Sequence, residues 1–395
     1  MRTLAVVFLL LVSSVLPATA QDAKPKVEFY GQLMTSAGTN GTLQNPSWFD
    51  VVRPTMLPAF EDQFGPGSNT FFSVRPSRFG MRVSLPTDAG EIKTLFEFDL
   101  LGTGPDVGQT TFRIRHAYAE LGHFGAGQNW SAFTDIDGFP NSIEYFGPSG
   151  MALMRNVQLR WMPIQGASRL TFALERPGAT GDGGVYADRV ELQDVAPRFP
   201  VPDLAAEYRR ATKWGYIEVA GILRYIKWDD LGTDALDLSG DATGWGINVS
   251  SNIKLGSANT AHVQVTFGEG IENHMNDAPS DIGIEPNPGG GATVPVRGVP
   301  LPLLGVTAFL DHTWSPKFTS SIGYSMVDID NSESQAPAAF KKGQYALGNL
   351  LYIPTPGVTA GVELQWGDRE NFSDGFSSST VRAQFSFRYA YSKVF

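Results

Sequence analysis

Apolar and polar residues alternate along this chain with a period of two. In VTAGVELQW (358–366), Val358, Ala360, Val362, Leu364 and Trp366 share one face, and Thr359, Gly361, Glu363 and Gln365 the other. WGINVSSNIKL (245–255), VTAFLDHTW (306–314) and IKTLFEFDL (92–100) repeat the pattern. Such alternation marks a strand whose two faces meet different surroundings. About sixteen segments carry it: 27–37, 71–85, 91–102, 110–121, 123–133, 153–163, 168–177, 202–211, 214–228, 242–255, 260–270, 303–314, 318–328, 343–354, 357–368 and 379–395. The apolar face often ends in Trp or Tyr, the residues favoured where lipid meets water. The last stretch, FSFRYAYSKVF (385–395), sets Phe385, Phe387, Tyr389 and Tyr391 against Ser386 and Arg388.

The connections are sorted by length. PTDAGE, GSAN, SPK and PTPG are tight turns after the second, tenth, twelfth and fourteenth segments. Between them lie long connections such as 38–70, 134–152, 178–201 and 271–302. Transmembrane barrels have short periplasmic turns and longer external loops. The expected fold is therefore all-β: a 16-stranded antiparallel transmembrane β-barrel with its third loop folded into the pore. Closure leaves no unpaired edge in lipid. A barrel of that size holds water inside, which is the solvent the polar face requires.

Composition adds a compartment. MRTLAVVFLLLVSSVLPATA (1–20) has one basic residue, an apolar run and a small-x-small end, the features of a cleaved signal peptide. The barrel domain is then 21–395. After residue 20 no apolar run approaches the length of a membrane helix. There is no cysteine, so no disulfide supports the exported fold.

The formal net charge is −10, yet the charges are segregated. Acids crowd the long connections, with Asp229, Asp230, Asp234, Asp237 and Asp241 in one and Glu272, Asp277, Asp281 and Glu285 in another. Arginines sit on strands at the inward phase: Arg78, Arg82, Arg113, Arg115, Arg160, Arg382 and Arg388. Arginine facing lipid costs roughly 2–4 kcal/mol at the midplane, which fixes the phase. A basic ladder of this kind guides anions. The competing reading is that the arginines pair with inward acids, Glu97, Asp99 and Glu120, and only brace the wall. The segment 131–156 is expected to constrict the pore, with Asp135, Asp137 and Glu144 facing the ladder. The five histidines have no zinc spacing. DIDG (135–138) lacks the remainder of a calcium loop and reads as a turn.

GQNWSAFTDIDGFPNSIEYFGPSGMALMRNVQLRWMP (127–163) resembles the DcaP-like porins of Gram-negative outer membranes, as do FYGQL (29–33), SRFGMRV (77–83) and FRIRHAYAELG (112–122). The resemblance implies a sixteen-stranded trimeric porin that prefers anionic solutes, notably dicarboxylates. By motif position it points to Arg78, Arg82, Arg113, Arg115 and Arg160 as pore-lining. Family members can carry a helical N-terminal extension; here strand one is expected by Val27, which leaves trimerisation to the barrel wall. The expected function is passive diffusion across the bacterial outer membrane, with no catalysis, cofactor or metal. Expected partners are small anionic solutes, outer-membrane lipid and lipopolysaccharide, two further copies of the chain, and the barrel-assembly machinery through Phe395; nucleic acid is not among them. The runner-up is a channel specific for sugars or aromatic acids. A barrel enzyme or adhesin is the third reading.

Overall fold

The structure, a computed structural model, describes residues 24–395. The expected signal peptide lies outside the described residues. Sixteen strands close into one antiparallel barrel. Strand β1 spans Lys26–Asn40. Strand β2 comes in two pieces, Asn69–Ser73 and Arg78–Thr87, both paired with β1. Next come β3 (Gly90–Leu101), β4 (Thr110–Leu121), β5 (Phe124–Trp130), β6 (Arg155–Ile164), β7 (Arg169–Glu175) and β8 (Asp203–Thr212). The second half is longer: β9 (Gly215–Asp230), β10 (Gly240–Leu255), β11 (Asn259–Glu269), β12 (Pro302–Ser315), β13 (Phe318–Ile329), β14 (Phe340–Thr355), β15 (Val358–Asn371) and β16 (Ser377–Val394). Each predicted segment overlaps one of these strands.

The seam closes between the chain's ends. Strands β1 and β16 pair from Glu28↔Val394 to Asn40↔Arg382. The Phe395 amide then donates to the Val27 carbonyl at 2.8 Å. Short turns gather at one end and eight long connections at the other. We number the long ones in chain order. L1 is 41–68, L3 is 131–154, L4 is 176–202 and L6 is 270–301. A short strand, Val195–Arg198, lengthens β9 outward, and L6 carries a hairpin, Ile282–Pro286 with Val296–Pro300.

The two faces separate as the alternation requires. Phe385, Phe387 and Tyr389 are about half exposed, whereas Ser386 between them is buried. Val362 and Leu364 face outward, and Glu363 and Gln365 are buried inside. Apolar packing inside the barrel is local: Phe133 and Ala152 of L3 and Ile271 and Met275 of L6 pack on Ala173, Ala205, Ala220, Ile222 and Leu303 of the wall. This tucked material fills one side of the lumen and sets where the remaining water path runs.

Strand two departs from the expected continuous run. It breaks at Val74–Ser77, where buried Arg75 pairs with Asp50 of L1 at 2.6 Å. The fifth strand stops at Trp130 rather than 133, because L3 leaves the wall there.

Candidate functional site

L3 runs along the inner surface of the long-stranded half. Its backbone is held by inward side chains, one strand after another. The Phe133 carbonyl accepts from Asn248 at 3.0 Å. The Ala152 amide donates to Gln264 and the Gly150 amide to Ser325, each at 2.9 Å. The amides of Ile143 and Glu144 donate to Glu363 at 2.9 and 3.1 Å. A loop inside a barrel must satisfy its peptide groups there, and polar residues at the inward phase of β10–β15 do so.

The opposite wall, β1–β6, carries the arginines. Arg113 makes a two-point pair with Asp99, at 3.0 and 2.6 Å. Arg115 bridges Glu97 at 2.6 Å and Asp99 at 3.0 Å. Arg78 lies 3.5 Å from Glu97. Arg82 pairs with Glu28 at 3.0 Å and lies over the Tyr30 ring. Loop and wall meet at Tyr145, whose hydroxyl donates to Asp99 at 2.8 Å and accepts from Arg115 and Arg78 at 3.1 and 3.2 Å.

Between them lies a chamber of about 850 Å³. Six arginines line it (Arg78, Arg82, Arg113, Arg115, Arg155 and Arg388) against two glutamates, Glu97 and Glu144. A cavity of about 520 Å³ on the turn side shares Asn129, Trp130 and Ile136 with it and adds Arg160. One of about 500 Å³ on the loop side shares Gln128, Met154, Arg155 and Asn273. The three follow one another along the barrel. Among the described residues, Arg155, Arg160 and Arg388 make no ion pair. Arg155 lies over the Trp130 ring at 4.8 Å. Arg160 donates to Gln158 at 2.6 Å and to the Trp130 carbonyl. Arg388 donates to Thr359 at 3.2 Å.

Several expected site residues stand elsewhere. Arg382 is fully buried and does not line the chamber; it donates to Asn40 at 2.6 Å and to the Phe49 and Val51 carbonyls at 2.8 and 3.0 Å, holding L1. Arg115 lines the chamber but is almost wholly buried. The L3 acids do not face the ladder. Asp135 is buried against Arg209, Tyr216 and Ser250, at 2.5, 2.6 and 2.5 Å. Asp137 also pairs with Arg209 at 2.5 Å, and Arg209 and Arg169 share Glu218 at 2.6 and 2.9 Å. These acids reach bases on β7 and β8, which lie closer than the ladder. Glu144 turns into its own loop, accepting from the Gly147 amide at 2.5 Å and from Val52 of L1 at 3.3 Å. Burial pushes its carboxyl up to about 7, against the pull of the Gly147 amide and Arg382 and reinforced by Glu363. Burial likewise holds Glu272 of L6 well above the usual carboxylate range, with Asp281 adding to it.

Sequence reading missed Tyr145 and Arg155. Strict alternation puts Arg155 on the same face as Val157 and Leu159, hence outward. The alternation fails at this end because Gly127 on the paired strand has φ +117°, and a Cβ there would meet the Ala117 carbonyl oxygen at 2.2 Å. Past that kink, Gln128, Asn129 and Trp130 all line the chamber. A glycine within the strand pattern was the available signal.

The pattern of the DcaP outer membrane protein family matches residues 17–225. No curated protein matches the chain. The outer membrane channel DcaP of Acinetobacter baumannii superimposes with a TM-score of 0.76 at 19% identity, covering 95% of this chain and 100% of that one. An anion-selective porin from Comamonas acidovorans superimposes at 0.57 and 10% identity, over 93% and 100%. The trimer form of OmpT from Vibrio cholerae gives 0.55 and 14%, over 93% and 100%. At these identities the likeness concerns the fold.

Proposed function

The chain belongs to the DcaP outer membrane protein family, a channel of the bacterial outer membrane, and from that premise we propose a passive diffusion porin that favours small anions, dicarboxylates first, and works as a homotrimer. The carrying observation is that, of the six arginines lining the chamber, Arg78, Arg82, Arg113 and Arg115 pair with Glu97, Asp99 or Glu28, whereas Arg155 and Arg388 have no acid partner among the described residues. An ion pair presents little net charge to a solute. An unpaired guanidinium keeps its full charge and its planar fork, which fits a carboxylate at two points. Arg155 stands where the outer cavity meets the chamber, Arg388 in the chamber and Arg160 in the inner cavity. A dianion thus meets successive cations, each replacing part of its hydration. Several weak sites favour throughput, because one tight site stops release. L3, within 131–156, narrows the path.

Residues 1–20 direct export and 21–395 form the barrel, with Phe395 presented to the assembly machinery and the outward face to lipid and lipopolysaccharide. The homotrimer takes its support from the trimer form of the OmpT neighbour. The test is the reversal potential of single channels in a salt gradient. Anion selectivity is expected, reduced in Arg155→Gln. A unit charge acting across about 7 Å of water shifts an ion's energy by about 0.6 kcal/mol. Opposite shifts for anion and cation give a roughly sevenfold fall in the permeability ratio. Cation selectivity of the wild type would sink the proposal.

A further inference from the structure

We propose that an apolar pocket between L4 and L6, at the loop end, captures amphipathic carboxylates before they enter the chamber; this rests on the anion-porin reading and names a solute class for its outer entrance. The pocket encloses about 370 Å³, inside the range of about 300–1,000 Å³ typical of small-molecule sites. Ile226 of β9 and Ile282 of the L6 hairpin form its floor, with Ala179 and Trp228 packed on them. Leu192 and Val195 of L4 complete the apolar wall.

Polar groups hold this pocket open. Buried Arg224 of β9 donates to the Gly178 carbonyl of L4 and, at 2.8 Å, to Asp281 of L6. The Thr180 amide donates to Asp281 at 2.9 Å, and the Asp281 and Ile282 amides donate to the Thr180 carbonyl at 3.0 and 3.1 Å. The Trp228 indole donates to the Leu238 carbonyl at 2.9 Å, and a Cβ on Gly240 or Gly298 would come within 2.6 Å of its ring. Loops stitched in this way do not close over their apolar lining. The lining stays in water until a ligand covers it, and a site formed in advance costs little to order on binding.

The charges sort the two ends of that ligand. In the pocket, Lys227 is paired with Asp229 at 2.9 Å and Arg297 with Glu285 at 2.5 Å. Asp182 accepts from Gln335 and from the Gly184 amide at 2.8 and 2.9 Å. The pocket is therefore suited to an uncharged apolar body. The outer cavity shares Ala179 and Phe199 with it, so one molecule reaches both. Arg155 and Arg176 line that cavity, and neither makes an ion pair among the described residues. A molecule with its body in the pocket and its carboxylate turned toward these guanidinium groups satisfies both ends. A short dicarboxylate has no apolar body to bury and passes the pocket by.

The probe is 4-phenylbutyrate, a phenyl ring joined to a carboxylate by a three-carbon spacer. Glutarate, with a carboxylate at each end of the same spacer, is the control. Each is added from the loop side to oriented single channels of the full-length protein, its folding checked by heat-dependent gel mobility. In the wild type, 4-phenylbutyrate is expected to interrupt the current and glutarate to carry it. Ala187 and Leu192 line the pocket. In Ala187→Trp the added indole fills it, and the phenyl ring loses a burial worth about tenfold or more in affinity. Leu192→Asn makes the wall polar without adding bulk, and Arg176→Gln removes a cation from the carboxylate; each should weaken 4-phenylbutyrate several-fold. Equal interruption in the wild type, Ala187→Trp and Leu192→Asn, or none in the wild type, overturns the capture site, while an anion-selective reversal potential in the same recordings keeps the anion-porin reading. Cation selectivity removes both.

Discussion

Asp99 decides what the arginines beside it are able to do. Its oxygens hold Arg113 and Arg115 and take the Tyr145 hydroxyl, so those two cations are spent on the wall. Arg155 has no such partner among the described residues. The contrast gives a residue-level prediction. Replacing the pair together, Asp99→Asn with Arg113→Gln, leaves the local charge unchanged and should leave the reversal potential near the wild-type value. Arg155→Gln removes one net charge and should move it. Equal shifts in the two variants would show that pairing is irrelevant. Arg382 belongs to a different class. Its loss strands the Phe49 and Val51 carbonyls in a buried site, at roughly 1–3 kcal/mol each. Arg382→Met is therefore expected to lower Tm and open L1 to protease, with little change in ion selectivity. Parity along the strands identified which arginines point inward. It carried no information on which of them would find a carboxylate, since that depends on neighbours 14–18 residues away or across a loop.

Strands and loops differ in how far their sequence determines them. A strand between lipid and water has both faces prescribed residue by residue, and all sixteen were legible from that alone. A loop inside the barrel answers only to the hydrogen-bond partners it happens to reach. L3 was placed in the lumen by its length and position, but Asp135 and Asp137 went to Arg209 because β8 lies nearer than the ladder. Glu144 supplies the element-scale prediction. Its carboxyl, ordinarily near 4.5, is raised to about 7 in the seated loop. The neutral form is thus the one that fits. Its contribution is full below the ordinary value and is lost as pH rises through about 7, on the order of 3 kcal/mol. Protease cleavage within L3 should accelerate between pH 5 and pH 8 in the wild type. In Glu144→Gln the same profile should be flat; a wild-type profile that is already flat would place the loop's anchoring elsewhere.

At the scale of the molecule, a net charge of −10 coexists with a chamber lined by arginine because the two signs occupy different places. Glu272, Asp277 and Asp281 of L6 are buried, whereas the acids at the connection between β9 and β10 stand toward open water at one end: Asp230, Asp234 and Asp237 bond to backbone amides of their own turns, and Asp229 sits between Lys227 and Arg198. Their field extends about 30 Å at 0.01 M salt and about 3 Å at 1 M. An anion approaching from the loop end therefore crosses a repulsive zone at low salt before it meets Arg155. From the turn end it does not. Currents carried by a dicarboxylate through oriented channels should rectify at low salt, with less flux from the loop side. They should become symmetric as salt rises toward 1 M. Rectification that persists at high salt would locate the asymmetry in the chamber itself, where L3 and Arg155 lie too close to the path for ions in solution to screen them.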